Sequence, residues 1–178
     1  MHLLKYRVFH FIDNYNPQYL IKLNKNINLI YRNYKNKINI DELVEIQNFC
    51  KKNKYKIYLA NNYKLAIKLG LNGVYLPSFN KDFVKIIHQR KNFDILGSAH
   101  NLKEVRIKEK QGVKYLFLSP LFKKNNKSLG IYKFMSLSNN TKLEIVALGG
   151  INSENIKLLK LIKLKNISSI SYIKKIYE

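Results

Sequence analysis

The chain has 178 residues, 46% of them hydrophobic, a length and composition that suit one domain with a sizeable core and exclude a disordered chain. It carries 33 Lys and Arg against 11 Asp and Glu, a net charge of +22. That charge invites a nucleic-acid partner. However, Lys and Arg are spread over nearly every segment, which argues against a focused binding patch and leaves only weak attraction to polyanions.

Strands and helices alternate along the chain. A first strand spans residues 7–12, and Pro17 opens a helix running to about residue 24. A second strand covers 27–31. Asp41 then caps a helix with Leu43, Val44, Ile46, Gln47 and Cys50 at roughly helical spacing. Strand three is 56–60, and the helix after it carries Leu65, Ala66 and Leu69 and ends at Gly70. Strand four, 73–76, precedes a helix holding Phe83, Ile86 and Ile87. Strand five is 93–97, followed by a helix from about Leu102 to Gln111. Strand six, 115–119, leads into a long polar loop at 123–130. The apolar run Ile145-Val146-Ala147-Leu148 is strand seven and ends in Gly149-Gly150. Ser153 is expected to cap a helix from about Glu154 to Leu161. Strand eight is 167–171, and a short helix, 173–178, follows.

Eight βα units about 20 to 30 residues apart predict a compact (βα)8 TIM barrel, a single domain over residues 1–178. The rival is an open doubly wound sheet, which needs no eighth strand. Such barrels usually take about 250 residues, so this one is lean, with a truncated final helix. That helix looks too short to cover strands eight and one. An apolar gap is expected there, covered by the N-terminal segment or by a second copy, so a homodimer is among the expectations. No apolar run reaches membrane-spanning length, and the N-terminus lacks a signal-peptide core. The single cysteine, Cys50, reads as a neutral core residue and suits a reducing cytoplasm.

Chemistry in a barrel sits where the strands exit. Here the exits carry Asp13, Arg32, Asn61, residues 77–80, Ser98 to His100, residues 119–127, Gly149-Gly150 and Ser171. They are rich in Ser, Asn, Lys and Gly and hold no paired carboxylates, which suits phosphate or pyrophosphate binding more than proton abstraction. The Gly149-Gly150 turn has two readings. It could bring backbone and a helix start to a phosphate, or it could simply make a tight strand-to-helix connection. Scattered Cys and His offer no metal-ligand spacing. The thirteen tyrosines read as core and rim residues, without a base-stacking platform.

Several segments in fixed order carry a family resemblance. They are residues 57–66 (IYLANNYKLA), Gly73-Val74-Tyr75-Leu76, Ser98-Ala99-His100 with Leu102 and Glu104, Ser119-Pro120-Leu121-Phe122, and Ala147-Leu148-Gly149-Gly150-Ile151 with Glu154-Asn155. Together they resemble thiamine-phosphate synthase and its relative, the thiazole tautomerase, over about residues 7 to 173. The resemblance implies a TIM barrel that joins a pyrimidine methyl pyrophosphate to a thiazole phosphate, with magnesium bridging the pyrophosphate. Arg32 and Ser98 match the family's pyrophosphate-contacting arginine and serine, and Lys127 matches the lysine ending the strand-six loop; these three are the candidate catalytic residues. Lys124 and Asn126 stand where the family has two threonines for the thiazole phosphate. Gly149, Gly150 and Ser171 match the cradle of that phosphate.

This sequence departs from the family pattern at the metal. Asn61 and Asn80 occupy the two positions where the family has magnesium-binding aspartates, which weakens any expected Mg²⁺ site. Ile30 and Tyr34 replace a family Gln and Lys, and Pro120 replaces the tautomerase histidine, which argues against that activity. His100 is either a base or a residue that orients its loop. A relative that binds thiazole or thiamine phosphate without coupling, and a basic nucleic-acid binder, remain as alternatives. Each site residue also has a plain reading: Arg32 as a surface arginine, Lys127 as a solvated loop charge, Ser171 as a buried serine at a strand end.

Overall fold

A computed structural model describes residues 5–34, 38–83, 91–122 and 128–178. Eight parallel strands close into a barrel in sequence order: β1 (Arg7–Ile12), β2 (Ile27–Tyr31), β3 (Ile57–Ala60), β4 (Gly73–Leu76), β5 (Asp94–Ala99), β6 (Tyr115–Leu118), β7 (Glu144–Leu148) and β8 (Asn166–Ser168). Closure is the pairing of β1 with β8, Val8 opposite Ile167 and Phe9 opposite Ser168. The open-sheet alternative is thereby excluded, and the fold is the expected (βα)8 TIM barrel.

Alternation along each strand sorts side chains into two cores. Phe9, Phe11, Ile30, Tyr58, Tyr75, Leu96, Tyr115, Phe117 and Val146 point inward and fill the barrel. Their neighbours in sequence, such as Val8, Leu29, Leu59, Val74 and Leu116, point outward to the helices. The interior is unusually aromatic. Phe11, Tyr75 and Phe117 meet edge to face, with ring centroids 5.2, 5.3 and 6.0 Å apart. Tyr58 and Tyr115 turn their hydroxyls to the opposite, N-terminal end. There Tyr58 donates to Asp94, Arg7 donates to Tyr115, and Lys114 pairs with Asp94 at 2.8 Å.

The helices are α1 (Pro17–Leu20), α2 (Ile40–Asn53), α3 (Tyr63–Lys68), α4 (Leu102–Lys110), α5 (Gly130–Asn139) and α6 (Ser171–Tyr177). Several differ from the sequence expectation. α1 stops at Leu20. The cap of α2 is Asn39, whose Oδ1 accepts from the N–H groups of Asp41 and Glu42, so Asp41 sits in the first turn. α5 arises where a polar loop led straight to strand seven. It has no side-chain N-cap and is held by Phe134 and Leu137, buried three residues apart on one face. The helix expected at 154–161 is a five-residue 3-10 helix, Ile156–Lys160. Ser153 does not cap it; Asn152 accepts from the N–H groups of Glu154 and Asn155 at 3.0 Å. The expected helix residues Ile86 and Ile87 lie outside the described residues.

The seam between β8 and β1 is covered. α6 places Ile173 fully into the core, with Tyr172 and Tyr177 packed beside it, and α1 adds Leu20 and Tyr19. One fully buried residue, Ile173, flanked by two half-buried tyrosines and helped by α1, lets a helix of seven residues do what its length seemed to forbid. Ile21 and Ile176 remain exposed at its margin.

Candidate active site

Because all strands are parallel, every exit opens on one face of the barrel. Arg32 follows β2 directly, and its N–H donates to the Ile12 carbonyl at 2.8 Å. That bond extends the ladder by one residue and turns the side chain over the barrel mouth. The guanidinium carbon lies 4.3 Å from the centre of the Phe11 ring and 5.8 Å from that of Tyr34. Tyr34 in turn meets Phe79, beyond β4, edge to face at 6.0 Å. An aromatic floor therefore carries the arginine, and the Tyr34–Phe79 pair flanks it.

Ser98 lies within β5, one strand residue deeper than expected, and is buried. It lies beside Tyr75, the inward-facing tyrosine of the neighbouring strand β4. Burial pushes that phenol up to about 12, while Ser98 and Arg32 pull it back. Tyr75 also packs on Phe11, so Arg32 and Ser98 are joined through Phe11 and Tyr75 into one cluster.

His100 is held at the start of α4. Its Nδ1 and its backbone N–H both meet Glu104 Oε2, at 2.9 and 2.8 Å, while Asn101 and Glu104 exchange hydrogen bonds as a capping box. This geometry ties the imidazole to the first turn of α4.

Gly149 and Gly150 follow β7 with φ of +100° and +73°. A Cβ on Gly149 would lie 2.8 Å from Pro120 Cα, so the glycine lets the β6 and β7 exits close on one another. Leu148 and Gly149 accept from the N–H groups of Leu121 and Phe122 at 2.9 Å. The helix start expected to donate to phosphate is otherwise engaged: the N–H groups of Glu154, Asn155 and Ile156 all go to Asn152. Ser171 is the exposed first residue of α6, not a buried strand-end serine. Ser168, which ends β8, and Ser169 are both buried, and Ser169 Oγ donates to the Ile151 carbonyl at 3.2 Å, linking the β7 and β8 exits. Lys124, Asn126 and Lys127 lie outside the described residues.

Asn61 and Asn80 are brought together. Asn61 holds a left-handed φ of 58°, which asparagine tolerates, and its N–H bonds to Tyr75 O at 2.8 Å. Asn80 Nδ2 donates to Asn61 Oδ1 at 2.9 Å. Asn80 Oδ1 accepts from Gln111 Nε2 and from the Asp82 N–H, both at 3.1 Å. These residues do not fit a magnesium ion: both family positions are neutral amides whose oxygens already accept N–H groups, which leaves Asp82, 3.5 Å from Asn80 Nδ2, as a lone carboxylate beside them. Among the described residues there is no group of three or more His, Cys, Asp or Glu that could hold a metal.

Sequence reasoning missed Lys108 and Gln111, which brace this exit from behind. Lys108 is fully buried on α4, and its Nζ reaches Pro77 O, Asn80 O and Gln111 Oε1, each at 2.8 Å. The signal was present, since Lys108 falls three residues after the buried Val105 and so on the same helix face.

Comparison with known proteins bears on this face. A family model described as thiamine monophosphate synthase matches residues 25–173. A relative from Aquifex aeolicus is 31% identical over 120 residues, 64% of this chain and 63% of its own length. A thiamine-phosphate synthase from one Prochlorococcus marinus strain is 32% identical over 125 residues, 66% of this chain but 35% of its own length. The chain thus spans between a third and two thirds of the length of these curated relatives. The solved thiamine phosphate pyrophosphorylase from Pyrococcus furiosus superposes with a TM-score of 0.73 at 19% identity, covering 94% of this chain and 86% of that one, a likeness of fold. With a family match over most of its length and a closed barrel to carry it, this chain belongs to the thiamine monophosphate synthase family.

Proposed function

We propose that the chain is a thiamine-phosphate synthase-type transferase that couples a pyrimidine methyl pyrophosphate to a thiazole phosphate. The carbon–oxygen bond to pyrophosphate breaks with its electron pair leaving on oxygen. The thiazole nitrogen then gives its lone pair to the methylene carbon. Such a step asks for anion stabilisation and positioning rather than a strong base. The observation that carries this reading is Arg32, a fixed cation on an aromatic floor at the C-terminal mouth of a barrel of this family.

In this reading Arg32, with Lys127, holds the departing pyrophosphate. Ser98 positions it from the barrel wall beside Tyr75. Lys124, Asn126, Gly149, Gly150 and Ser171 form the thiazole-phosphate side. No step is routed through magnesium, because the Asn61–Asn80 pair does not suit it. The same pair favours a second reading, a relative that binds the phosphorylated ligands without efficient coupling. A cytoplasmic site of action and self-association through the exposed Ile21 and Ile176 margin belong to the proposal. Nucleic acid and membrane have no part in it; no helix of the described residues is long and apolar enough to span a bilayer.

The test is a coupling assay with both phosphorylated precursors. Arg32→Ala is expected to lower kcat/KM by about 100-fold or more, and Ser98→Ala by about tenfold, without loss of fold. Thiazole phosphate should raise the melting temperature of the wild type. Stabilisation without turnover selects the binding reading, and neither stabilisation nor turnover rejects both.

A further inference from the structure

The Lys108 cluster is built in steps that start inside the barrel wall. Gly97 of β5 faces α4, and a Cβ there would lie 2.9 Å from Lys108 Cδ and 2.8 Å from Val113 Cγ2. The missing side chain is the channel through which the lysine stem passes. At its end the ammonium meets three acceptors at 2.8 Å, two backbone carbonyls and an amide oxygen, all neutral. Three acceptors match the three donors of a protonated amine, whereas a neutral amine offers two. A positive charge is therefore fixed beneath the loop that carries Asn80.

Gln111 completes the brace. Its Oε1 accepts from Lys108, which fixes which end of the amide donates. Its Nε2 then gives to Asn80 Oδ1 and to the carbonyl of Asp82 at 2.8 Å. The Asp82 backbone N–H, which can only donate, also points at Asn80 Oδ1. Asn80 is thereby locked with its oxygen turned toward α4 and its NH₂ turned toward Asn61 and Asp82 Oδ2. An aspartate placed there would still have one oxygen drawn to Gln111 and the buried ammonium behind it.

From this geometry we infer that the β4 exit excludes a divalent cation, and that Lys108 is its resident positive charge. Lys108 is a positioning residue: fully buried, it touches no ligand and acts through the Asn80 loop. A buried charge is poorly screened, so a divalent ion beside Asn80 meets repulsion, and the Asp82 carboxylate, 3.5 Å from Asn80 Nδ2, offsets it only in part. The two amides are then one half of the exclusion and the lysine the other. Restoring Asn61→Asp and Asn80→Asp alone leaves the second half in place. The functional consequence, that a phosphorylated ligand is met here without a metal, rests on the reading given under Proposed function.

The experiment is a calorimetric titration of Mn²⁺ alone, at neutral pH, into three proteins: wild type, N61D/N80D, and N61D/N80D/K108Q. Wild type and N61D/N80D are both expected to bind no tighter than about 1 mM, and the triple variant to gain about tenfold or more over the double. Either of the first two binding below about 100 μM would overturn the inference, and so would a triple variant that binds no tighter than the double. If the triple variant does not fold, Lys108→Met replaces Lys108→Gln, and the first two proteins still decide. The readout uses no thiamine precursor, so failure of the coupling assay leaves it standing, and its own failure leaves the coupling reading intact.

Discussion

His10 shows how one buried side chain joins three elements. It lies on the outer face of β1, where its Nδ1 faces the Ser169 carbonyl at 3.2 Å and its Nε2 faces the Tyr19 hydroxyl at 2.9 Å. A carbonyl only accepts, so the proton sits on Nδ1 and Nε2 accepts from the tyrosine. Burial pushes the imidazole from 6.5 down to about 4, with Lys174 adding to the fall and Ser169 and Asp13 opposing it. Between those two values the unfolded chain takes a proton that the folded chain refuses. Stability is therefore complete above about pH 6.5 and declines as the pH falls toward about 4, by on the order of 3 kcal/mol for this group. His10→Gln keeps a donor and an acceptor but cannot titrate. Its urea midpoint should change less than that of the wild type across this window; an equal slope would assign the effect elsewhere. At this scale the sequence showed which residues could bear chemistry, Arg32 and Ser98 among them. It did not show Lys108 as buried, because a lysine in a chain so rich in lysine reads as solvated.

Among elements, the turns needed the third dimension more than the strands did. The apolar run of β7 ends at Gly149 as the residues indicate, but the reason for the glycine is Pro120, distant in sequence and 2.8 Å from where a Cβ would be. Gly149→Ala combines that contact with a φ of +100°, and is expected to cost about 2–3 kcal/mol, read as a lower melting temperature. A melting temperature within a degree of the wild type would show that the turn relaxes freely. α5 escaped the sequence reading since Gly130, two serines and a terminal asparagine obscure a helix whose stability comes from Phe134 and Leu137 against the barrel. The segment after β7 erred in the other direction. Its spacing is helical, yet the Asn152 and Asn155 side chains bind local backbone and leave room for one short 3-10 turn.

At the level of the whole molecule, stability of the small barrel rests on its aromatic interior. Phe117 is fully buried and touches Phe9, Phe11 and Tyr75 with centroids 5.2 to 6.0 Å apart. Phe117→Ala is expected to cost about 3–5 kcal/mol in denaturant unfolding and to loosen the floor beneath Arg32, raising KM in the coupling assay. A loss under about 1 kcal/mol would mean that the interior collapses around the gap. The sequence by itself determined the eight strands and their order, since short apolar runs and a regular βα spacing are local properties; which residue of each strand faces inward came from the closed barrel. It also determined which exits bear Ser, Asn, Arg and Gly, and that two amides replace carboxylates. Only the tertiary structure decided that Asn61 and Asn80 hydrogen-bond to each other, that α6 and α1 together cover the seam, and that a buried lysine lies under the β4 exit. Those outcomes depend on distances between residues far apart in the chain, and no local pattern encodes such distances.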